Sequence, residues 1–209
     1  MRSRIAAAGG DPDQVRVVAV TKGFGPDAVA ACVSAGVVDI GENYAPELLY
    51  KAAAAPAHDL SQVCWHYLGA VQRRRVRALA PVVAWWETVA RLVEGEAIAS
   101  RAPGATVLVE VDVTGVAGRN GCAPDAVPDL VAALRALPLD VRGLMVVGPP
   151  GPPERAREGF RTTARLAHHL GLGELSMGMT QDLEVAVREG STMVRVGRAL
   201  FGERPMPVA

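Results

Sequence analysis

Short apolar runs, most of them rich in β-branched residues, recur along the chain, and most are followed by a stretch with helical spacing. The first run is VRVVAVTK (15–22), and VVDIGEN (37–43), WHYLGA (65–70) and VVAWWET (82–88) follow it. TVLVEVDV (106–113), VRGLMVVG (141–148), ELSMGM (174–179) and TMVRVG (192–197) complete the series. Runs of this length and composition predict buried strands. Between them, Pro26 to Ala35 carries Val29, Cys32 and Val33 at i, i+3, i+4 spacing. Pro26 suits a first helical turn and Gly36 a helix stop. Further helices are predicted at 46–55, 72–80, 89–100, 125–136 and 181–189, with another from PPGPPE (149–154) to near Gly171. Eight strands with helices between them, in units of roughly 25 residues, predict a small (β/α)8 barrel. An open doubly wound sheet is the rival, because the alternation alone is common to both. No linker or low-complexity run divides the chain, so residues 1–209 are expected to form one α/β domain.

Composition narrows the function. Of the 209 residues, 50% are hydrophobic but only 4% aromatic, so the core must be built from Ala, Val and Leu, the usual filling of parallel strands covered by helices. A formal net charge of zero gives no reason to expect nucleic acid or an anionic membrane as partner. Cys32, Cys64 and Cys122 are odd in number and widely spaced, which fits a reducing cytoplasm better than a disulfide framework or a zinc site. The N-terminus lacks the apolar core of a secretory signal, and no apolar stretch is long enough for a membrane helix. No two histidines have metal-ligand spacing, and His168-His169 reads as a surface pair, with His58 in a helix or loop. Trp85 and Trp86 read as core and rim, and Arg73 to Arg77 as a solvated helix face.

Two chemistries compete for the turn after the first strand. Gly23-Phe24-Gly25-Pro26-Asp27-Ala28 matches G-x-G-x-x-[GA], and Glu42 ends the next strand where a ribose-binding carboxylate belongs. Pro26 argues against a dinucleotide, since it has no N–H to offer a pyrophosphate. The alternative centres on Lys22. A lysine at a strand end is ordinarily a solvated edge charge. In a barrel, however, the strand C-termini open on one face, and that face holds the site. Asn43, His66, Ser176 and Arg195 are expected at the same mouth. A lysine amine desolvated there can form a Schiff base with an aldehyde. The ends of the last two strands, SMGMT (176–180) and VGRALFG (196–202), combine glycines with Ser176, Thr180 and Arg198, a composition suited to an anion. Lysine and anion nest together point to a ligand with both an aldehyde and a phosphate, for which pyridoxal 5′-phosphate is the obvious candidate.

The blocks VAVTK, GENYAPE, WHYLGAVQ, RGLM and LSMGMTQDLEVAVREGSTMVRVGRALFG, spread nearly end to end, resemble the pyridoxal-phosphate homeostasis family (YggS/PROSC type). The resemblance implies a single barrel of the alanine racemase N-terminal type that binds pyridoxal 5′-phosphate without the racemase's second domain. It implies a role in cofactor balance without catalytic turnover, with exchange to pyridoxal-phosphate-dependent apoenzymes, and a monomer is expected. By position it makes Lys22 the Schiff-base lysine and puts Asn43 beside the cofactor ring. Ser176, Gly197 and Arg198 would hold the phosphate, and Arg195 would face the pyridine nitrogen. A guanidinium only donates, so it keeps that nitrogen unprotonated and the ring a poor electron sink. The other reading of Arg195 is an ion pair with Glu110 or Asp112. Arg198 stands where the family usually has threonine, and Arg73 to Arg75 and Arg119 stand at family lysine positions. Of the family's N-terminal helix only Ile5 to Ala8 is expected to remain. A racemase or lyase on the same barrel is the alternative; it would need a second acid/base group such as Tyr44 or Tyr67.

Overall fold

The computed structural model describes residues 1–58 and 60–203, without the side chains of 55–58. Eight strands close into a parallel barrel in sequence order, β1 pairing with both β2 and β8. They are β1 Arg16–Val20, β2 Asp39–Glu42, β3 Cys64–Tyr67, β4 Val83–Val89, β5 Thr106–Val111, β6 Asp140–Val146, β7 Glu174–Ser176 and β8 Met193–Val196. The closed order excludes the open doubly wound sheet. The outer helices are α2 Pro26–Ser34, α3 Ala45–His58, α4 Arg73–Leu79, α5 Leu92–Ala99, α6 Val127–Arg135, α7 Arg157–His169 and α8 Leu183–Arg188. No helix among the described residues is long and apolar enough to cross a membrane.

Two short helices frame this set. The N-terminal α1, Arg2–Ala7, is longer than the sequence suggests and does not leave apolar surface bare. Its Ile5 is fully buried in a cluster with Val15, Leu183, Val187, Val194 and Val196. Arg4 fastens it from outside, donating to Glu184 at 2.6 Å and to the Thr180 carbonyl at 2.8 Å. At the other end, α9, Arg198–Phe201, follows β8 directly, and Phe201 packs on Phe24 with ring centroids 5.1 Å apart. The proline cluster resolves into a loop, a 3-10 turn at Pro153–Ala156 and then α7, rather than one long helix.

Alternation along the strands divides the buried residues into two cores. One lies between strands and helices and includes Trp65, Trp86, Val107, Val109, Leu144 and Phe160. The other fills the lumen: Val18, Trp85, Leu108, Met145 and Met193 come from five different strands and pack together. Trp86 is therefore core between sheet and helices. Its neighbour Trp85 points inward, stacks on His66 at 5.5 Å and has the Arg16 guanidinium over its ring at 4.7 Å. A lumen packed in this way leaves no pore, so polar groups inside it must find partners within the barrel.

Candidate functional site

The first turn decides what the β1 loop does. β1 stops at Val20, two residues before Lys22, and Gly23 then takes φ +81°, a left-handed conformation favourable to glycine. Gly25 caps α2 and Pro26 occupies its first turn. Glu42 is fully buried and bonds Thr21 Oγ1 at 2.6 Å and Lys51 Nζ. Lys51, itself buried, also donates to the Thr21 carbonyl at 2.8 Å. Glu47 accepts from the Gly23 N–H at 2.7 Å. The carboxylate that a dinucleotide would need for its ribose is thus consumed in anchoring the Lys22 loop, and that rival loses its second element.

A cleft of about 890 Å³ opens beside Lys22. This is within the ordinary range for small-molecule sites. Lys22, Asn43, Arg195, Gly197 and Arg198 all line it, so five of the six residues assigned to a cofactor from sequence come together. Thr180 joins them and accepts a hydrogen bond from the Ala199 N–H at 3.3 Å, tying SMGMT to the start of α9. Asp182 fixes the same loop by accepting from the Met179 N–H at 2.6 Å. Arg119, from the loop after β5, adds a further cation, whereas Arg73, Arg74 and Arg75 are exposed and outside the cleft. A further wall is the loop Gly148–Pro153, whose prolines read in sequence as the opening of a long helix.

Ser176 is the exception. It is fully buried and does not line the cleft. Its hydroxyl accepts from Arg195 Nη1 at 2.6 Å and donates to Glu87 Oε2 at 2.5 Å. Arg195 also donates from Nη1 to the Ser176 carbonyl at 2.6 Å and from Nη2 to the Val146 carbonyl at 2.8 Å. No direct ion pair joins it to Glu110 or Asp112; the barrel carboxylate it reaches is Glu87, through the Ser176 hydroxyl. Burial pushes its pKa down from the ordinary value, opposed by the charges of Glu87, Glu110 and Asp182.

His66 is not at the mouth. It lies inside the barrel, with Nδ1 bonded to Glu87 Oε1 at 2.6 Å and Nε2 to Asp39 Oδ1 at 2.9 Å. Asp39 begins β2, so this group emerges at the opposite, N-terminal mouth. Asp39, Cys64 and His66 present ligand atoms within 4.8 Å of one another, a cluster that strand spacing alone could not reveal. Its carboxylate already bonds His66 Nε2 and, at 3.9 Å, faces the Arg16 guanidinium. Tyr44 is exposed, and Tyr67 is buried against Trp86 with its phenol pushed up by desolvation. No tyrosine, histidine or cysteine lines the cleft among the described residues. The outer surface of α7 carries a separate open depression around His168 and His169, but its arginines, Arg161 and Arg165, pair with Glu158 and Glu189.

Asn43 owes its place to a glycine. A Cβ on Gly69 would lie 2.0 Å from the Asn43 carbonyl oxygen, and the Gly69 carbonyl is in turn held by Thr88 Oγ1 at 2.6 Å. Gly69→Ala must displace the loop after β2 that carries Asn43. The expected cost is about 1–3 kcal/mol in urea denaturation, as for other overpacked sites.

The alanine racemase N-terminal domain model matches residues 3–205. A Pseudomonas aeruginosa protein named pyridoxal phosphate homeostasis protein is 38% identical, covering 98% of this chain and 91% of its own. A Deinococcus radiodurans protein of the same name is also 38% identical, covering 96% and 95%. The structure of PipY of Synechococcus elongatus with PLP bound superposes with a TM-score of 0.80 at 28% identity, over 96% of this chain and 99% of that one.

Proposed function

The chain belongs to the alanine racemase N-terminal domain family, and from that premise we propose that it binds pyridoxal 5′-phosphate and serves its homeostasis, as its relatives' names indicate for them. The observation that carries the reading is the meeting of Lys22 with Arg195, Gly197 and Arg198 in one cleft. This donor set fits the cofactor's chemistry: a primary amine for the aldehyde, cations and backbone for the phosphate, and an obligate donor for the ring nitrogen. Lys22 would supply the amine that holds the cofactor's aldehyde. Asn43 would stand beside the ring, and Gly197, Arg198 and Thr180 would hold the phosphate, Thr180 in the role that the sequence suggested for the buried Ser176. When bound, the cofactor supplies an electron-withdrawing ring, and Arg195 limits that power by keeping the nitrogen unprotonated.

A carrier without turnover is favoured by one further feature. Amino-acid racemisation needs acid/base groups on both faces of the substrate; neither Tyr44 nor Tyr67 lines the cleft, and of its carboxylates, Asp182 and Glu203, the first is held by the Met179 N–H. We read the barrel as acting alone, as a monomer in the cytoplasm, passing cofactor to apoenzymes. Incubation with pyridoxal phosphate should give a visible band from the conjugated C=N bond, and borohydride should fix one label on Lys22. A colourless protein, or a label on another lysine such as Lys51, would overturn the assignment. Sustained conversion of D- or L-alanine would favour the enzyme reading instead.

A further inference from the structure

A single hydrogen-bonded column crosses the lumen from one mouth of the barrel to the other. Arg195 on β8 donates to Ser176 on β7, and Ser176 donates to Glu87 on β4. Strands β4 and β7 are not neighbours, so the last bond spans the lumen. Glu87's other oxygen meets His66 Nδ1, and His66 Nε2 meets Asp39 at the far mouth. Ser176, Glu87 and His66 are fully buried and Arg195 nearly so. Every link has a consistent donor direction when His66 is the imidazolium, which donates from both nitrogens. Glu87 is then the shared acceptor between two cations, Arg195 through Ser176 and His66 directly.

We propose that Glu87 is the positioning residue for Arg195, and that through it the protonation of His66 at the far mouth sets how tightly the cleft holds its ligand. This rests on the reading of Arg195 as the group facing the cofactor ring. The sequence assigned Ser176 to the phosphate; the geometry makes it the joint of this column. With Nη1 held by Ser176 and Nη2 by Val146, the guanidinium has one orientation beneath the cleft.

The surroundings of His66 determine the sign. Asp39 faces it from β2, Cys64 from its own strand and Glu87 from β4. Trp85 stacks on it and also has the guanidiniums of Arg16 on β1 and Arg142 on β6 over its ring; Arg16 lies 3.9 Å from Asp39 and 3.8 Å from Glu174 on β7. The lumen neighbours from β5 and β8, Leu108 and Met193, are apolar. Burial pushes the imidazolium's pKa down, but the bonds to Asp39, Cys64 and Glu87 outweigh it and leave the pKa well above the ordinary histidine value. Burial pushes Glu87 up, and His66, Arg195 and Ser176 outweigh that, leaving it below the usual carboxylate range. Loss of the His66 proton leaves the Glu87 charge acting on Arg195 alone. With one of its two donors gone, Glu87 pulls harder on the Ser176 hydroxyl and through it on Arg195, drawing the guanidinium toward the lumen, and an anionic ligand is held less tightly.

The test uses the full chain with pyridoxal phosphate: the His66 imidazole resonances locate its titration, and affinity and the spectrum of the bound cofactor are measured across that range, from the ordinary histidine region upward as far as the protein stays folded; a His66 that keeps its proton throughout would overturn the proposal. Affinity should fall about fivefold across the His66 titration, at the low end of typical site-to-site coupling. The fall should vanish in His66→Gln and in Glu87→Gln. Ser176→Ala leaves every charge in place but cuts the joint; it should flatten the profile while borohydride still labels Lys22, and it serves if Glu87→Gln does not fold. Folded variants with the parent's affinity, spectrum and pH profile would overturn the proposal. If parent protein bound no pyridoxal phosphate, the functional reading would fail, yet the column would still be decided in cofactor-free protein. There the Arg195 guanidinium NMR resonances should shift with the His66 titration in the parent and stay fixed in Ser176→Ala; resonances that stay fixed in both would sink it.

Discussion

Lys22→Ala is expected to lose the visible band and the borohydride-stable label completely while keeping the parent's fold. Lys22 lies past the end of β1, is only half-buried and lines the cleft, so its truncation removes no lumen or interhelical packing. A stability change within about 0.5 kcal/mol is expected, as for substitutions away from the core. Binding should not vanish with the bond, because Arg195, Gly197 and Arg198 still face the same space. A loss on the order of a hundredfold in affinity, about 2.8 kcal/mol, would measure what the covalent link adds to the anion site. Equilibrium dialysis of the variant with pyridoxal phosphate and, separately, with inorganic phosphate gives that comparison. Unchanged affinity would mean that Lys22 is an edge charge after all.

The same residues show what could be read before the fold was known. The strands were legible because most are compact β-branched runs and the rest, WHYLGA and ELSMGM, fall where the alternation requires one, and the closed order of the barrel agrees with the alternation. Lys22, Asn43, Arg195, Gly197 and Arg198 were legible because a barrel brings strand C-termini to one face regardless of their distance in sequence. Ser176 and His66 were misplaced for one physical reason. Strand position gives neither depth in the lumen nor which inward group meets which across it. Glu87 went unnoticed for the same reason: it follows two tryptophans in a strand that looked merely apolar, and its partners come from β3 and β7. Nor could sequence separate Lys51 from a solvated helix lysine, although it is the most buried cation near the Lys22 loop.

Lys51→Met should be the more damaging lysine substitution for stability. Lys51 is 1% exposed and Glu42 is fully buried, and the pair has Thr21 as its third member. Removing one partner of a buried ion pair leaves the other charge desolvated, which costs roughly 3–5 kcal/mol. Desolvation already raises the Glu42 pKa above its ordinary value, opposed by the bonds from Lys51 and Thr21. Without Lys51 it must rise further. A carboxyl that binds its proton more tightly when folded than when unfolded loses stability as pH climbs from the unfolded value to the folded one, and carries the full penalty above both. The deficit of Lys51→Met, measured by urea midpoints, should therefore be largest at neutral pH and shrink on acidification through the raised value, as Glu42 takes up its proton. The double variant Lys51→Met with Glu42→Gln should recover most of the loss at neutral pH, because the unpaired charge is gone. A deficit independent of pH, or no recovery in the double variant, would assign the damage to lost packing around α3 instead. Because Lys51 also holds the Thr21 carbonyl, one residue before Lys22, the single variant should weaken cofactor binding even where it remains folded.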